Sequence, residues 1–169
     1  MKRTRSPACS AFRRSGFPWA AFFILVVSLL PLVGGAPRIS TCSQTDDCSI
    51  VEIGNIRVPV LIARDRKTIS QGLSDLPFLP PNTGMLFLLP ERYIPAFWMK
   101  NMHFPLDIIW IDNNSVVDIA HDCPAEGRNP SVRYRPETPV EAVLEVNAGF
   151  AEKNSIQVGD RVILPSWMD

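Results

Sequence analysis

A chain of 169 residues has room for one domain and little more. Its formal net charge of zero averages two unlike parts: residues 1–36 carry five basic side chains and no acid, whereas the remainder carries 12 basic and 17 acidic ones, a net charge of −5. An acidic body is a poor nucleic-acid binder, because such binding rests on neutralising phosphates with Lys and Arg, so no nucleic-acid partner is expected.

Lys2, Arg3, Arg5, Arg13 and Arg14 precede an uncharged run from Ser15 to Pro37, strongly apolar from Trp19 to Val33 and closed by Gly34-Gly35-Ala36. A basic lead, an apolar run and a small-residue exit have the form of a signal peptide or signal anchor. The run is just long enough to span a bilayer. Pro31 and the two glycines weaken its last turns and favour cleavage after Ala36. Positive charge ahead of the run puts the rest of the chain on the outer side of the cytoplasmic membrane, periplasmic, extracellular or membrane-tethered. If the segment is uncleaved, it is also the membrane contact. Residues 37–49 read as a polar tether. Within it Cys42 and Cys48 enclose a short polar loop, for which a disulfide is the simple reading in an oxidising compartment, leaving Cys123 free.

Folded pattern starts near Ile50 and makes residues 50–165 one β-rich domain. Ile50–Ile53 and Ile56–Ala63 read as strands joined by the hairpin dipeptide Gly54-Asn55. Pro59 lacks an N–H and predicts an edge position or a bulge for the second strand. Asp65–Gly72 reads as a turn or two of helix, with Gly72 as its stop. Five prolines between Pro77 and Pro95 then break the chain into loops around one short strand, Met85–Leu89. Leu106–Ile111 and Val116–Ala120 are strands across a tight Asp112–Ser115 turn, the first apolar on both faces and therefore interior. Ala142–Val146 is a further strand, Ala148–Lys153 a short helix, and Arg161–Leu164 a last strand. About eight short strands with two short helices predict a mainly β fold, a small barrel or sandwich.

The run Gly84–Asp112 carries most of the chemical information. Its centre, Phe97-Trp98-Met99-Lys100-Asn101-Met102-His103-Phe104-Pro105-Leu106-Asp107, sets polar groups among aromatics and methionines, and such groups are costly to bury without partners. Strand alternation sends Glu145 and Asn147 to one face of the 143–147 segment, Leu144 and Val146 to the other. Lys100, Asn101, Asp107, Glu145 and Asn147 thus form a candidate polar cluster. It serves as a buried network that pins loops to the barrel, as a ligand pocket, or as an acid–base site using Asp107 or Glu145, which would make the protein a small envelope hydrolase. Trp98 and Trp110 are candidate pocket-lining aromatics. Met99, Met102 and His103, with His121 and Cys123 further on, are donors that suit Cu(I). Core filling beside Trp98 and Phe104 is the simpler account of the methionines, so neither a metal nor a cofactor is expected.

Arg64–Asp75 (RDRKTISQGLSD), Gly84-Met85-Leu86-Phe87, Phe97–Asp107 (FWMKNMHFPLD), Leu144–Gly149 (LEVNAG) and Val158-Gly159-Asp160 resemble the ordered blocks of the domain of unknown function 192 family. The resemblance spans roughly Ile50–Leu164. It implies a single compact β-rich domain, commonly behind a signal sequence or lipid anchor, and no established activity. Ser74 stands where the family usually has methionine and His103 where it often has threonine, so His103 carries no family-wide role. The expectation is an exported cell-envelope module that binds, or interacts structurally with, an envelope ligand or protein.

Overall fold

A computed structural model describes residues 48–165. The leader, residues 37–47 of the expected tether and Cys42 of the expected bridge lie outside the described residues, whereas Cys48 and Ser49 already belong to the first strand. The elements are β1 (Cys48–Ile53), β2 (Ile56–Ala63), α1 (Arg66–Gln71), β3 (Gly84–Tyr93), β4 (Leu106–Asp112), β5 (Ser115–Cys123), β6 (Val140–Asn147), α2 (Phe150–Lys153) and β7 (Val162–Ile163). All seven strands join one sheet in the order β5-β4-β6-β3-β2-β1-β7. Only β2 and β3 pair in parallel. The mainly β expectation holds, with seven strands and the two short helices.

The sheet curls into a half-barrel. Its ends approach where the Asp160–Val162 segment meets the start of β5: Val116 N–H donates to the Asp160 carbonyl at 2.9 Å and Val162 N–H to that of Asn114 at 2.8 Å. The enclosed face gathers apolar residues from every strand, among them Val51, Val60, Leu86, Ile109, Val116, Leu144 and Val162, with Phe150 and Ala151 of α2. A second core lies on the other face of β3, β6 and β4. There Phe87, Val143, Ile108 and Trp110 are covered by Leu73, Leu79, Met99 and Met102 from the connecting segments. As its doubly apolar pattern requires, β4 is buried along its whole length and sits between β5 and β6.

Local sequence explains the turns. Gly54 supplies a φ of 55° between β1 and β2, while Asn113 and Asn114 adopt 47° and 56° between β4 and β5, the positive pair that a two-residue hairpin of type I′ needs. Asp65 caps α1, its Oδ1 accepting from Lys67 N at 2.9 Å and Thr68 N at 3.0 Å. Arg92 and Asn113 both donate to the buried Asp112 carboxylate, fastening the end of β3 to the end of β4.

Pro59 corrects one expectation, since β2 lies between β1 and β3 and pairs regularly with β1 through Pro59. Counting from the Ile53–Ile56 pair that closes the hairpin, Ile50 and Pro59 form a pair without mutual hydrogen bonds, so the missing N–H faces away from β1. Pairing with β3 begins only at Val60. The proline therefore occupies the one stretch where an interior strand is locally open. Pro90 continues β3 past its expected end, inside the irregularity that separates the Leu88 and Tyr93 pairings with β6.

Gly84 of β3 pairs with Val146 of β6 where the backbones leave no room for a side chain. A Cβ there would lie 2.6 Å from the Glu145 carbonyl oxygen and 3.0 Å from side-chain carbons of Leu144 and Val146. Gly84→Ala is expected to cost about 1–3 kcal/mol through overpacking of backbone against backbone, checked as a lowered urea midpoint.

Candidate functional site

A cavity of about 400 Å³ opens between α1, the chain that follows it, the end of β3 and the Pro95–Met102 segment. Phe87, Tyr93, Phe97 and Trp98 wall it, Gln71, Gly72 and Ser74 close it from the α1 side, and Glu145 of β6 reaches it from the sheet. The roof is tied down by backbone geometry. Gly72, at a φ of 50°, lets the chain pass over the Phe87 ring, where a Cβ would come 3.3 Å from Cζ. Ser74 Oγ then donates to the Lys100 carbonyl at 2.8 Å, and Asp75 N–H to that of Asn101 at 3.0 Å.

The opposite wall alternates like a strand. Phe97 exchanges two 3.0 Å backbone hydrogen bonds with Tyr134, and Glu126 N–H donates to the Met99 carbonyl at 3.0 Å. Phe97 and Met99 thus turn inward, while Trp98 and Lys100 turn outward. Inside, the rings interlock edge to face: Phe97 stands 5.0 Å from Phe87 and 5.3 Å from Trp110, centroid to centroid. Outside, the Arg133 guanidinium lies 4.8 Å from the centre of the Trp98 ring, within cation–π range.

The five polar candidates do not converge. In the β4–β6 register Asp107 pairs with Val146 and Glu145 with Ile108, so the two carboxylates leave opposite faces of the sheet. Asp107 is fully buried and its oxygens accept from Asp122 N at 3.0 Å and Ala151 N at 2.9 Å, holding the end of β5 and the start of α2. Asn147 donates to the carbonyls of Leu79 and Pro80 and pins that loop. Asn101 serves the turn through its φ of 54° and its backbone. Lys100 is exposed and makes no ion pair among the described residues.

Glu145 is left by itself. It is 5% exposed, its pair partners Met85 and Ile108 are apolar, and it has no hydrogen-bond or ionic partner among the described residues. Burial alone pushes its pKa up to about 8, so the group holds its proton at neutral pH. Nearby, Cys123 is a free, buried thiol beside the Tyr134 hydroxyl, raised to about 11, chiefly by burial.

Other candidates divide similarly. Trp98 lines the cavity, whereas Trp110 is a core residue that backs it through Phe97. Met99 and Met102 are both buried in one cluster, not on opposite faces as strand alternation would have it, because left-handed Asn101 breaks the alternation between them. His103 and His121 are exposed, and the described residues contain no group of three His, Cys, Asp or Glu that could hold a metal ion. Sequence reasoning missed the α1 side of the cavity and the aromatics Phe87, Tyr93 and Phe97. The signal that could have found Phe97 is the F-W-M-K alternation, which sets Phe97 and Met99 on one side and Trp98 and Lys100 on the other.

Among the described residues no helix is long and apolar enough to cross a membrane. No curated protein matches the chain. Two solved structures of similar fold are a candidate transcription regulator from Sinorhizobium meliloti 1021 and a protein of unknown function from Novosphingobium aromaticivorans DSM 12444. The first is 28% identical with a TM-score of 0.61, the match covering 68% of this chain and 91% of that one. The second is 27% identical with a TM-score of 0.64, covering 79% and 94%. Over residues 49–164 the chain matches the DUF192 family, described as uncharacterized ACR, and it belongs to that family.

Proposed function

We propose that this is an exported cell-envelope domain that binds a small molecule in the cavity above Glu145. The observation that carries the reading is a buried carboxyl group without a partner among the described residues, in the lining of a walled space. Small-ligand sites are concave, mostly apolar and furnished with a few placed polar groups, and this cavity fits that description with aromatic walls and one acid at its base. Export rests on the basic, apolar and small-residue order of the leader. Acid–base hydrolysis by paired carboxylates is less well supported, because Asp107 faces away and is saturated by two backbone donors.

Saturation-transfer NMR on the full chain with benzyl alcohol, benzyltrimethylammonium and benzoate tests the reading. At least one fragment is expected to receive saturation. Ser70→Trp, at an exposed α1 position on the cavity rim, should abolish the transfer while changing stability by no more than about 0.5 kcal/mol. No transfer to any fragment, or equal transfer in the variant, overturns the proposal.

A further inference from the structure

We infer that the natural occupant of this cavity carries a positively charged nitrogen, an organic ammonium whose charge meets Glu145 and whose substituents lie against the rings of Tyr93, Phe97 and Trp98. The inference rests on the proposed binding role and names the ligand class.

Three observations converge on it. The first is the lone acid: Glu145 lacks a cationic partner among the described residues, so a ligand must supply one if the group is to ionise inside the cavity. The second is the wall. Aromatic faces attract cations through their quadrupoles, most strongly when both are shielded from water, and groups of such rings are the usual cage for alkylated ammonium. Trp98 already takes one cation on its ring, the Arg133 guanidinium. The third is charge selection. An anionic ligand would meet Glu145 with no cation at the base of the site, since the one basic residue among the lining side chains is Arg66 on exposed α1. A neutral ligand would be met by a protonated acid acting as hydrogen-bond donor, and would make little use of the quadrupoles of the aromatic lining.

The chemistry balances simply. Below about pH 8 Glu145 is a neutral acid. When a fixed ammonium enters, the O–H bond breaks, the proton passes to buffer, and the carboxylate stays as counter-ion. One proton leaves per cation bound. The neighbouring strands present Met85, Phe87, Ile108 and Trp110. Cys123 is raised to about 11 and Tyr134 is raised above its usual 10, both chiefly by burial, and the basic side chains at the site are Arg66 among the lining residues and Arg133 over the Trp98 ring.

Calorimetry on the full chain in buffers of differing ionisation enthalpy tests this, with benzyltrimethylammonium as the cation, benzyl alcohol as the neutral probe and benzoate as the anion. Cation affinity is expected to rise about tenfold per pH unit from about pH 5 to 8 and then level off, with one proton released per binding event at the lower end. Glu145→Gln should weaken cation binding at pH 8 by roughly a hundredfold and erase its pH dependence, with a far smaller change for benzyl alcohol. Trp98→Leu, at an exposed position, keeps apolar area and removes the ring quadrupole. It should cost the cation roughly three- to thirtyfold and the alcohol less. Benzyl alcohol or benzoate binding as tightly as the cation, or cation binding without proton release, overturns the ammonium assignment while the binding role stands. Failure of all three probes overturns both.

Discussion

Asp107→Ala is expected to lower the free energy of unfolding by about 4 kcal/mol, seen as a reduced urea midpoint with an unchanged slope. The side chain is fully buried and each carboxylate oxygen accepts one backbone N–H, from Asp122 and from Ala151. Truncation strands both donors. A buried unsatisfied donor costs about 1–3 kcal/mol, and bonds to a charged acceptor lie at the upper end. The two donors belong to elements with little stability of their own. Asp122 sits at a φ of 49° at the end of β5, opposite the irregularity between Leu106 and Ile108. Ala151 lies in the first turn of a helix of four residues, far too short to persist without tertiary contacts. Asp107→Asn retains one acceptor oxygen and turns an NH₂ group toward the other donor, so about half the loss is expected from it. A change below about 1 kcal/mol in the alanine variant would show that these loops are held by packing alone.

The strands were readable because local and tertiary preferences agree. Gly54-Asn55 and Asn113-Asn114 sit in the two tight turns, the doubly apolar Leu106–Ile111 is interior, and the Asp65–Gly72 segment carries its own cap and stop. Pro59 was misread because one residue says nothing about where a neighbouring strand begins, and β3 starts pairing one residue later. The cavity was only half legible. Strand alternation put Glu145 on a distinct face from Leu144 and Val146, and the register agrees. Whether Lys100 met it depended on the orientation of a segment held by Tyr134 and Glu126, residues 26 or more positions further on whose backbone pairing has no sequence signature. The α1 wall depends similarly on Gly72 and Ser74 docking across to Phe87 and the Lys100 carbonyl. A polar residue in an apolar strand thus announces that something must satisfy it, and only the fold shows that nothing in the described protein does.

That isolation sets the second large effect, a stability that falls with rising pH through Glu145. The folded-state pKa is raised to about 8 from an ordinary 4.5, so between those values the unfolded chain has released the proton and the folded chain retains it. With fewer protons bound in the unfolded state, the unfolding free energy declines as pH rises, by about 1.4 kcal/mol per unit. The contribution is fully present below about pH 4.5, where both states are protonated, and is lost as pH rises through about 8, above which both are ionised. Urea titrations of wild type and Glu145→Gln at intervals across this window should diverge by about 4 kcal/mol from pH 5 to 8, the glutamine variant being relatively more stable at the alkaline end. Parallel curves would mean that water or an unseen donor reaches the carboxylate. Saturating benzyltrimethylammonium should flatten the wild-type slope and leave the variant unchanged, because a cation beside the carboxylate lowers its folded pKa. Repeating the titration with benzyl alcohol separates charge from occupancy: a neutral molecule fills the same space, supplies no counter-charge, and should leave the slope in place.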